Sequence, residues 1–219
     1  MEIQYLGHSA FAVRLGSGRR LAIDPFLTGN PKAAATPADL EDCDTVLVTH
    51  DHGDHLGDAF PLCKKTGATL VAMFEVAENA AAEGVKTEPM GVGGAVALGD
   101  LVVNMVNAQH SAASGHAAGF VLEAEGRNLY FAGDTGLFGD MRLIGEIWPL
   151  DLAVLPVGDR FTMGPKLAAR AVEFLGPEHV IPCHYGTFSL LRPDASEFVT
   201  RVGNRAKVHA LTPGESLSL

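Results

Sequence analysis

The stretch Thr49-His50-Asp51-His52-Gly53-Asp54-His55 places three imidazoles and a carboxylate that can reach a metal within six consecutive positions. The residues before it, Val46-Leu47-Val48, are apolar and rich in β-branched side chains, so they predict a short buried strand. The cluster is therefore expected on the loop that leaves this strand. We expect Gly53 to give that loop the backbone freedom that returns the later side chains toward the first.

A histidine that stands alone in a sequence is most often an ordinary core or surface residue. That explanation does not suit four such residues together, namely His50, His52, Asp54 and His55. Removing so many polar groups from water is costly unless they share a binding partner. Imidazole and carboxylate are the usual ligands of zinc and related divalent ions. The loop therefore predicts a metal site.

Length and composition favour one domain that covers residues 1–219. Hydrophobic residues make up 47% of the chain, which is enough for a substantial core. No stretch rich in proline, glycine and serine divides the sequence. We interpret Gly91-Val92-Gly93-Gly94 as a turn between strands, because strand-like sequence resumes directly after it.

Charge and cysteine content narrow the choice of partners and compartment. The formal charge is −10 and the 16 basic residues are scattered, so nucleic acid is not an expected partner. Three cysteines without CxxC spacing predict neither disulfides nor a cysteine zinc site and fit a reducing cytoplasm. The N-terminus lacks the pattern of a signal peptide, and the longest uncharged run is too polar to cross a bilayer. We expect a cytoplasmic protein with a small-molecule substrate and no membrane partner, and the chain could form a homo-oligomer.

Periodicity and turn residues predict antiparallel strands mixed with strand-helix pairs. Pro165 suits the first turn of a helix and Gly176-Pro177 its end. The expected helices are 58–65, 75–83, 141–147, 165–175 and 194–204, and the expected strands are 2–6, 10–15, 20–24, 46–48, 69–73, 95–98, 101–108, 118–124, 128–132, 152–155, 179–182 and 207–211. This order favours an α/β protein with two sheets and helices on their outer faces.

Further potential ligands occur in three later segments, each just after an apolar strand. His110 follows strand 101–108, Asp134 follows strand 128–132, and His184 follows strand 179–182. Each of these residues alone is a weak signal. Together, and in this order behind the 49–55 loop, they supply the additional ligands that a site for two metals needs.

With these positions in place, the sequence resembles the metallo-β-lactamase superfamily over nearly its whole length. Residues 50–55 match the HxHxDH signature, and His110, Asp134 and His184 match the later metal-binding positions. The segments YLGHSAF (5–11), IDPFLTGNP (23–31), FTMGP (161–165) and HYGTF (184–188) are similar to a subfamily of short metal-dependent hydrolases related to L-ascorbate-6-phosphate lactonase. The resemblance implies an αββα four-layer sandwich, with two mixed sheets face to face and metals at the sheet edges.

The resemblance also implies how the ligands divide between two metal ions. Each ion has three ligands of its own and Asp134 bridges them: His50, His52 and His110 hold the first, and Asp54, His55 and His184 hold the second. Asp24 resembles an aspartate that accepts a hydrogen bond from a ligand imidazole or from the loop backbone, which fixes the ligand's orientation. From the sequence alone, Asp24 is also compatible with a simple turn before Pro25.

The expected chemistry is hydrolysis. Two divalent ions about 3.5–4 Å apart lower the pKa of bound water to about 7 and so provide a bridging hydroxide at neutral pH. We expect this hydroxide to attack a small-molecule ester, lactone or phosphodiester, with Asp134 as the bridge and Asp54 as the group that orients the hydroxide or relays its proton. Zinc is the default ion, and manganese, iron, cobalt or nickel also suit the ligand set.

Five further residues are candidates for the substrate pocket, namely His8, His116, Asp159, Met163 and Tyr185. His8 is equally compatible with a structural role. A flavodiiron oxidoreductase, a nucleic-acid-processing enzyme and an exported β-lactamase are disfavoured, because the chain has no room for a flavin domain, no basic patch and no signal peptide. The remaining alternative is a non-catalytic binding or sensing protein that keeps the metal ligands but turns over no substrate.

Overall fold

The first seven-stranded sheet comes mainly from the first half of the chain in the computed structural model, which describes residues 1–219. β1, β2 and β3 are antiparallel, whereas β3, β4, β5 and β6 run parallel. The strands are β1 (Glu2–Gly7), β2 (Ala10–Arg14), β3 (Arg20–Ile23), β4 (Thr45–Val48), β5 (Thr69–Met73) and β6 (Thr87–Met90), with the C-terminal β14 (Ser216–Ser218) added beside β1.

The second seven-stranded sheet repeats this arrangement with the second half of the chain. β7 to β10 are antiparallel neighbours, and β10 to β13 are parallel. The strands are β7 (Ala95–Leu98), β8 (Leu101–Asn107), β9 (Ala118–Ala124), β10 (Arg127–Phe131), β11 (Leu152–Pro156), β12 (His179–Cys183) and β13 (Lys207–Val208). Both sheets are therefore mixed, as the sequence predicts.

Helices cover the outer faces of both sheets. Helices α2 and α3 pack on β4, β5 and β6 of the first sheet, while α5 packs on β11 of the second and contacts α4 and α6. The helices are α1 (Gly53–Leu56), α2 (Ala59–Thr66), α3 (Phe74–Ala82), α4 (Met141–Ile147), α5 (Pro165–Leu175) and α6 (Ser196–Val202), and two 3-10 turns span Pro37–Leu40 and Gly203–Arg205. No helix combines the length and apolar character needed to cross a membrane.

Two apolar clusters hold these layers together. The larger has 42 buried residues and joins the facing sides of the two sheets, with Phe11 of β2 against Phe131 of β10 at 5.7 Å between ring centroids. The smaller has 21 buried residues and lies between the second sheet and its helices. Strands β4, β5 and β11 are buried on both faces, which explains why their sequences are continuous apolar runs rather than alternating ones.

The structure differs from the sequence expectations at a few elements. β6 and β14 are not predicted, because β6 contains Pro89 and β14 is a short, mostly exposed strand at the sheet edge. The expected strand 207–211 is only two residues long. Gly53 has an ordinary backbone conformation and open space where a Cβ would lie, so the site does not use the conformational freedom of glycine. The helical turn of α1 instead brings Asp54 and His55 back toward His50.

Candidate metal centre

The predicted ligands come from four strand ends at one edge of the sandwich. The 49–55 loop follows β4, His110 follows β8, Asp134 follows β10 and His184 follows β12. Strands β8, β10 and β12 run in the same direction in the second sheet, so they end at the same edge, and the loop after β4 of the first sheet meets them there. The structure brings together all seven residues for which metal binding is predicted.

The first triad, His50, His52 and His110, forms a compact group of imidazoles. The ring centroids of His50 and His52 are 4.5 Å apart, and each lies 5.2 Å from that of His110. His50 Nε2 and His52 Nδ1 face each other at 3.0 Å. The candidate ligand atoms of the three residues lie within 4.8 Å of one another, which is close enough for one ion.

The second triad, Asp54, His55 and His184, lies beside the first, and Asp134 contacts members of both. Asp134 Oδ1 is 3.2 Å from His55 Nε2, and Asp134 Oδ2 is 3.1 Å from His184 Nε2 and 3.6 Å from His110 Nε2. One carboxylate therefore reaches imidazoles from each triad, which is the position that a bridging ligand needs.

Buried polar atoms without a hydrogen-bond partner indicate whether these residues fit a metal. His55 Nε2 and Asp134 Oδ1 are buried and have no hydrogen-bond partner, although such atoms are costly to leave unsatisfied. The two atoms lie 3.2 Å from each other, and no group forms a hydrogen bond with either. Nitrogen and carboxylate oxygen donors of this kind suit zinc and other borderline divalent ions. The donor set and its unsatisfied atoms fit divalent metals.

Asp24, just after β3, fixes the orientation of this group. Its Oδ1 accepts a hydrogen bond from the backbone N–H of Thr49 at 2.8 Å, and its Oδ2 accepts from the Thr49 hydroxyl and from His55 Nδ1–H, both at 2.7 Å. Since the Thr49 hydroxyl donates to Asp24, its oxygen accepts from His50 Nδ1 at 3.1 Å. The Nε2 atoms of His50 and His55 therefore point away from Thr49 and Asp24, toward His52 and Asp134.

Burial and neighbouring charges set the protonation of the metal-free centre. Burial lowers the pKa of His50 and of His110, so both imidazoles are neutral, the form that binds metal. Burial also opposes charge on His55 and Asp134, but their mutual attraction outweighs it: the pKa of His55 is raised and that of Asp134 is lowered. Metal uptake therefore displaces a proton from His55.

Three residues at the centre have strained backbones. His8, Asp24 and His184 have φ values of 60°, 45° and 57°, in the left-handed region that non-glycine residues seldom adopt. Such strain costs on the order of 1–3 kcal/mol per residue and persists where the surrounding structure enforces it. Each of these residues directs its side chain into the centre, so the strain accompanies the placement of polar groups.

His8 lies deeper than a pocket-lining residue would. Its side chain is 0% exposed, its ring centroid is 4.1 Å from that of His184, and its Nε2 is 3.1 Å from Asp54 Oδ2. Burial lowers the pKa of His8 to about 4, so the ring is neutral. Burial acts to raise the pKa of Asp54, but the hydrogen bond from His8 and the nearby His55 hold it well below its usual value.

The other pocket candidates do not converge on the centre. Met163 is fully buried and packs in the smaller apolar cluster, so it cannot line an open pocket. Tyr185 lines a separate cleft of about 160 Å³ that contains none of the seven predicted ligands. Asp159 is exposed and pairs with Arg192 at 3.3 Å. His116 is exposed on the segment after His110 and makes no ring contact with the triads.

Three residues that support the centre are assigned no role by the sequence analysis. Thr49 and Thr187 hold imidazoles, Thr187 through a 2.9 Å contact between its Oγ1 and His8 Nδ1. Asp51 accepts hydrogen bonds from the Ala113 backbone N–H at 2.7 Å and from the Ser114 hydroxyl, which ties the 111–117 segment to the metal loop. Threonine and aspartate are common in loops, so only the position of Asp51 inside the 49–55 stretch could have indicated such a role.

Comparison with known proteins gives a consistent picture over the whole chain. The profile of the family described as "Beta-lactamase superfamily domain" matches residues 19–185. A UPF0173 metal-dependent hydrolase of Methanopyrus kandleri is 49% identical over 99% of both chains, and one of Pyrococcus abyssi is 45% identical over 100% of both. The solved structure of Igni18, a metallo hydrolase of Ignicoccus hospitalis, is 36% identical and superimposes with a TM-score of 0.92 over 99% of this chain and 97% of that one.

Proposed function

The chain belongs to the UPF0173 metal-dependent hydrolases of the β-lactamase superfamily, and we propose that it uses two divalent ions, zinc by default, to hydrolyse an ester, lactone or phosphodiester bond of a small molecule. The observation that carries this proposal is the contact of the Asp134 carboxylate with imidazoles of both triads. A two-metal centre needs one shared ligand, and Asp134 is the residue with that geometry.

In this proposal His50, His52 and His110 hold one ion, and Asp54, His55 and His184 hold the other. Two bound divalent ions supply Lewis acidity and lower the pKa of water to about 7, so that a nucleophile exists at neutral pH. The protein contributes the fixed orientation of its donors. Asp24 and Thr49 direct Nε2 of His50 and of His55 inward, so no rotation of these rings is needed when metal binds.

Asp54 is the other carboxylate of the centre to which we assign a catalytic role. Its side chain is 31% exposed, whereas that of Asp134 is only 4% exposed, so Asp54 is the carboxylate that solvent and substrate can reach. A carboxylate with a lowered pKa stays ionised at neutral pH and can orient a water molecule or accept its proton. We assign Asp54 this orienting role and Asp134 the bridging role.

A small-molecule substrate fits the remainder of the molecule better than a nucleic acid does. The formal charge of −10 opposes a polyanionic partner, even though bound cations offset part of it. The three cysteines are all buried and unpaired, which supports our proposal of a cytoplasmic location.

The test is a substrate screen with metal control. Protein purified without added metal is analysed for bound ions and assayed against lactones, phosphodiesters and thioesters, before and after chelation. We expect turnover that chelation abolishes and that one divalent ion restores. Metal binding without turnover on any of these classes would instead support a binding or sensing protein.

A further inference from the structure

His8 is a buried imidazole at the centre that belongs to neither triad. It lies in the turn between β1 and β2, while its partner Thr187 follows β12 near the other end of the chain. The His8 side chain is 0% exposed and Thr187 is 8% exposed. Two nitrogens of one ring therefore meet two defined groups in a dry environment: Nδ1 meets the Thr187 hydroxyl at 2.9 Å, and Nε2 meets Asp54 Oδ2 at 3.1 Å.

The chemistry of these two contacts selects one tautomer. A neutral imidazole carries a single N–H, and an ionised carboxylate can only accept. If Nδ1 carried the proton, the Nε2 lone pair would face the negative Asp54 oxygen. If Nε2 carries the proton, it donates to Asp54, and the Thr187 hydroxyl donates to Nδ1. In the second arrangement the Thr187 hydroxyl gives its single hydrogen to His8 Nδ1 at 2.9 Å, the shorter of its two contacts, rather than to the Tyr185 carbonyl oxygen at 3.3 Å. Only this arrangement avoids placing the Nε2 lone pair against the Asp54 carboxylate.

Both nitrogens of His8 therefore have polar partners, and one of them is the Thr187 hydroxyl, which lies outside the predicted ligand set. His55 Nε2, in contrast, forms no hydrogen bond. His8 is instead anchored by its own backbone. Its carbonyl oxygen accepts from the His184 backbone N–H at 2.8 Å and from the Tyr5 hydroxyl at 3.1 Å, which holds the strained turn in place.

We propose that Thr187 and His8 form a hydrogen-bond relay that positions Asp54: the Thr187 hydroxyl donates to His8 Nδ1, and His8 Nε2–H donates to Asp54 Oδ2. His8 is thus a positioning residue that acts through Asp54, not a metal ligand and not a substrate contact. The relay rests on the proposed function, since it presupposes that Asp54 serves the second ion. It links the turn between β1 and β2 and the loop after β12 to the 49–55 loop.

The test compares two matched variants of Thr187. Thr187→Ser keeps the hydroxyl, whereas Thr187→Val keeps the shape and removes it. The stepwise zinc affinity of each metal-free protein is measured by competition with a chelator. We call the zinc held by Asp54, His55 and His184 the second equivalent, whichever ion binds first. We expect Thr187→Val to weaken this equivalent by roughly 10- to 100-fold, as is typical when a partner of a ligand is lost, and to leave the other unchanged. Thr187→Ser should match the wild type.

A second variant and a spectroscopic measurement distinguish loss of the relay from a folding defect. His8→Asn retains a residue that tolerates a positive φ but cannot reproduce the relay, and we expect a loss at the second equivalent at least as large. In the zinc-loaded wild type, nitrogen NMR of the histidine rings should show His8 protonated at Nε2. This measurement needs no mutation.

Three distinguishable results would contradict either the relay or the proposed function on which it rests. Unchanged affinity at the second equivalent in both Thr187→Val and His8→Asn would remove the relay but leave the two-metal hydrolase intact. A His8 ring protonated at Nδ1 and bonded to zinc through Nε2 would make His8 a ligand. A wild type that binds fewer than two equivalents would contradict the proposed function itself.

Discussion

The Asp24 side chain shows how a single residue organises the centre. One buried carboxylate receives three hydrogen bonds, from the Thr49 backbone, the Thr49 hydroxyl and His55. It therefore sets the path of the loop after β4 and, through His55, the direction of a ligand nitrogen. The sequence indicates Asp24 only through its resemblance to the superfamily, because an Asp before Pro25 also suits an ordinary turn.

Replacing this carboxylate should weaken metal binding without touching a ligand. Asp24→Asn keeps the size of the side chain but puts an N–H₂ group where two hydrogens must be accepted. We expect the metal affinity to fall by roughly 10- to 100-fold, measured by competition with a chelator. Asp42→Asn is the matched control, because Asp42 is exposed and pairs only with Arg14 and Arg20. Equal affinities for the two variants would show that Asp24 does not support the centre.

The buried neutral histidines should make the metal-free protein sensitive to mild acid. The pKa of His8 is about 4 in the folded protein against 6.5 in the unfolded chain, and burial lowers that of His50 as well. Between these pH values the unfolded state binds more protons, so folding stability rises with pH and is lost as pH falls from 6.5 toward 4.

Urea unfolding of metal-free protein at pH 7 and at pH 4.5 measures this effect, and we expect a loss of a few kcal/mol across the interval. His8→Asn should show a smaller loss, since one of the histidines whose pKa is lowered by burial is gone. An equal pH dependence in the variant would mean that His8 does not titrate on unfolding.

At the scale of elements, strand ends determine where the centre lies. Each ligand segment follows a strand that the sequence predicts from its apolar residues, most clearly Val46-Leu47-Val48 of β4 and Val180-Ile181 of β12. Helix α5 has the predicted bounds, since Pro165 begins it and Gly176, with φ of 60°, ends it. The strand-end positions indicate the three later ligand segments, and the resemblance to the superfamily predicts that they meet the loop after β4.

The loops between these elements were less predictable, and so was the pocket. Tyr185 directly follows His184 of the centre, but its side chain lines a separate cleft, and Met163 is buried in the smaller apolar cluster. The strained turns at His8 and His184 have no sequence signal, because such residues adopt a positive φ only when distant contacts impose it. Sequence spacing carries no information about these directions.

Close packing between two loops at the centre gives a sharp test. A Cβ added to Gly158, just after β11, would lie 1.9 Å from the backbone oxygen of His184, so the two loops must move apart. We expect Gly158→Ala to lower the free energy of unfolding by about 1–3 kcal/mol and to weaken metal binding through the displaced His184.

Gly53→Ala is the control within the metal loop itself. Gly53 has space around it and an ordinary φ at the start of α1, so alanine should change stability by no more than about 1 kcal/mol. Urea unfolding and metal affinity measure both variants. Equal behaviour of the two would contradict the contact between Gly158 and His184.

For the whole molecule, the centre concentrates buried charge where the two sheets meet. Asp24, Asp134 and His55 are almost fully buried, and in the metal-free protein they compensate one another through a few close contacts. Removing charges from water is costly, and bound cations would satisfy the unpartnered atoms that remain. Folding and metal binding are therefore linked.

Metal should raise the stability of the entire fold, not only of the loops that bind it. At a free metal concentration about 100 times Kd, each occupied site adds about 2.7 kcal/mol to the free energy of unfolding. We expect a higher Tm for metal-loaded protein than for chelated protein, measured by calorimetry at one pH. An unchanged Tm would mean that the seven predicted ligands do not hold metal in the folded state.

The most direct test of the two-metal centre is the number of metal ions bound per chain, measured by elemental analysis beside hydrolysis for the wild type and for Asp134→Ala. We predict two ions in the wild type, and in Asp134→Ala no more than one tightly bound ion together with a loss of turnover, because the only carboxylate shared by the triads is gone. Two retained ions with full activity in Asp134→Ala would contradict the bridging role and the centre built on it.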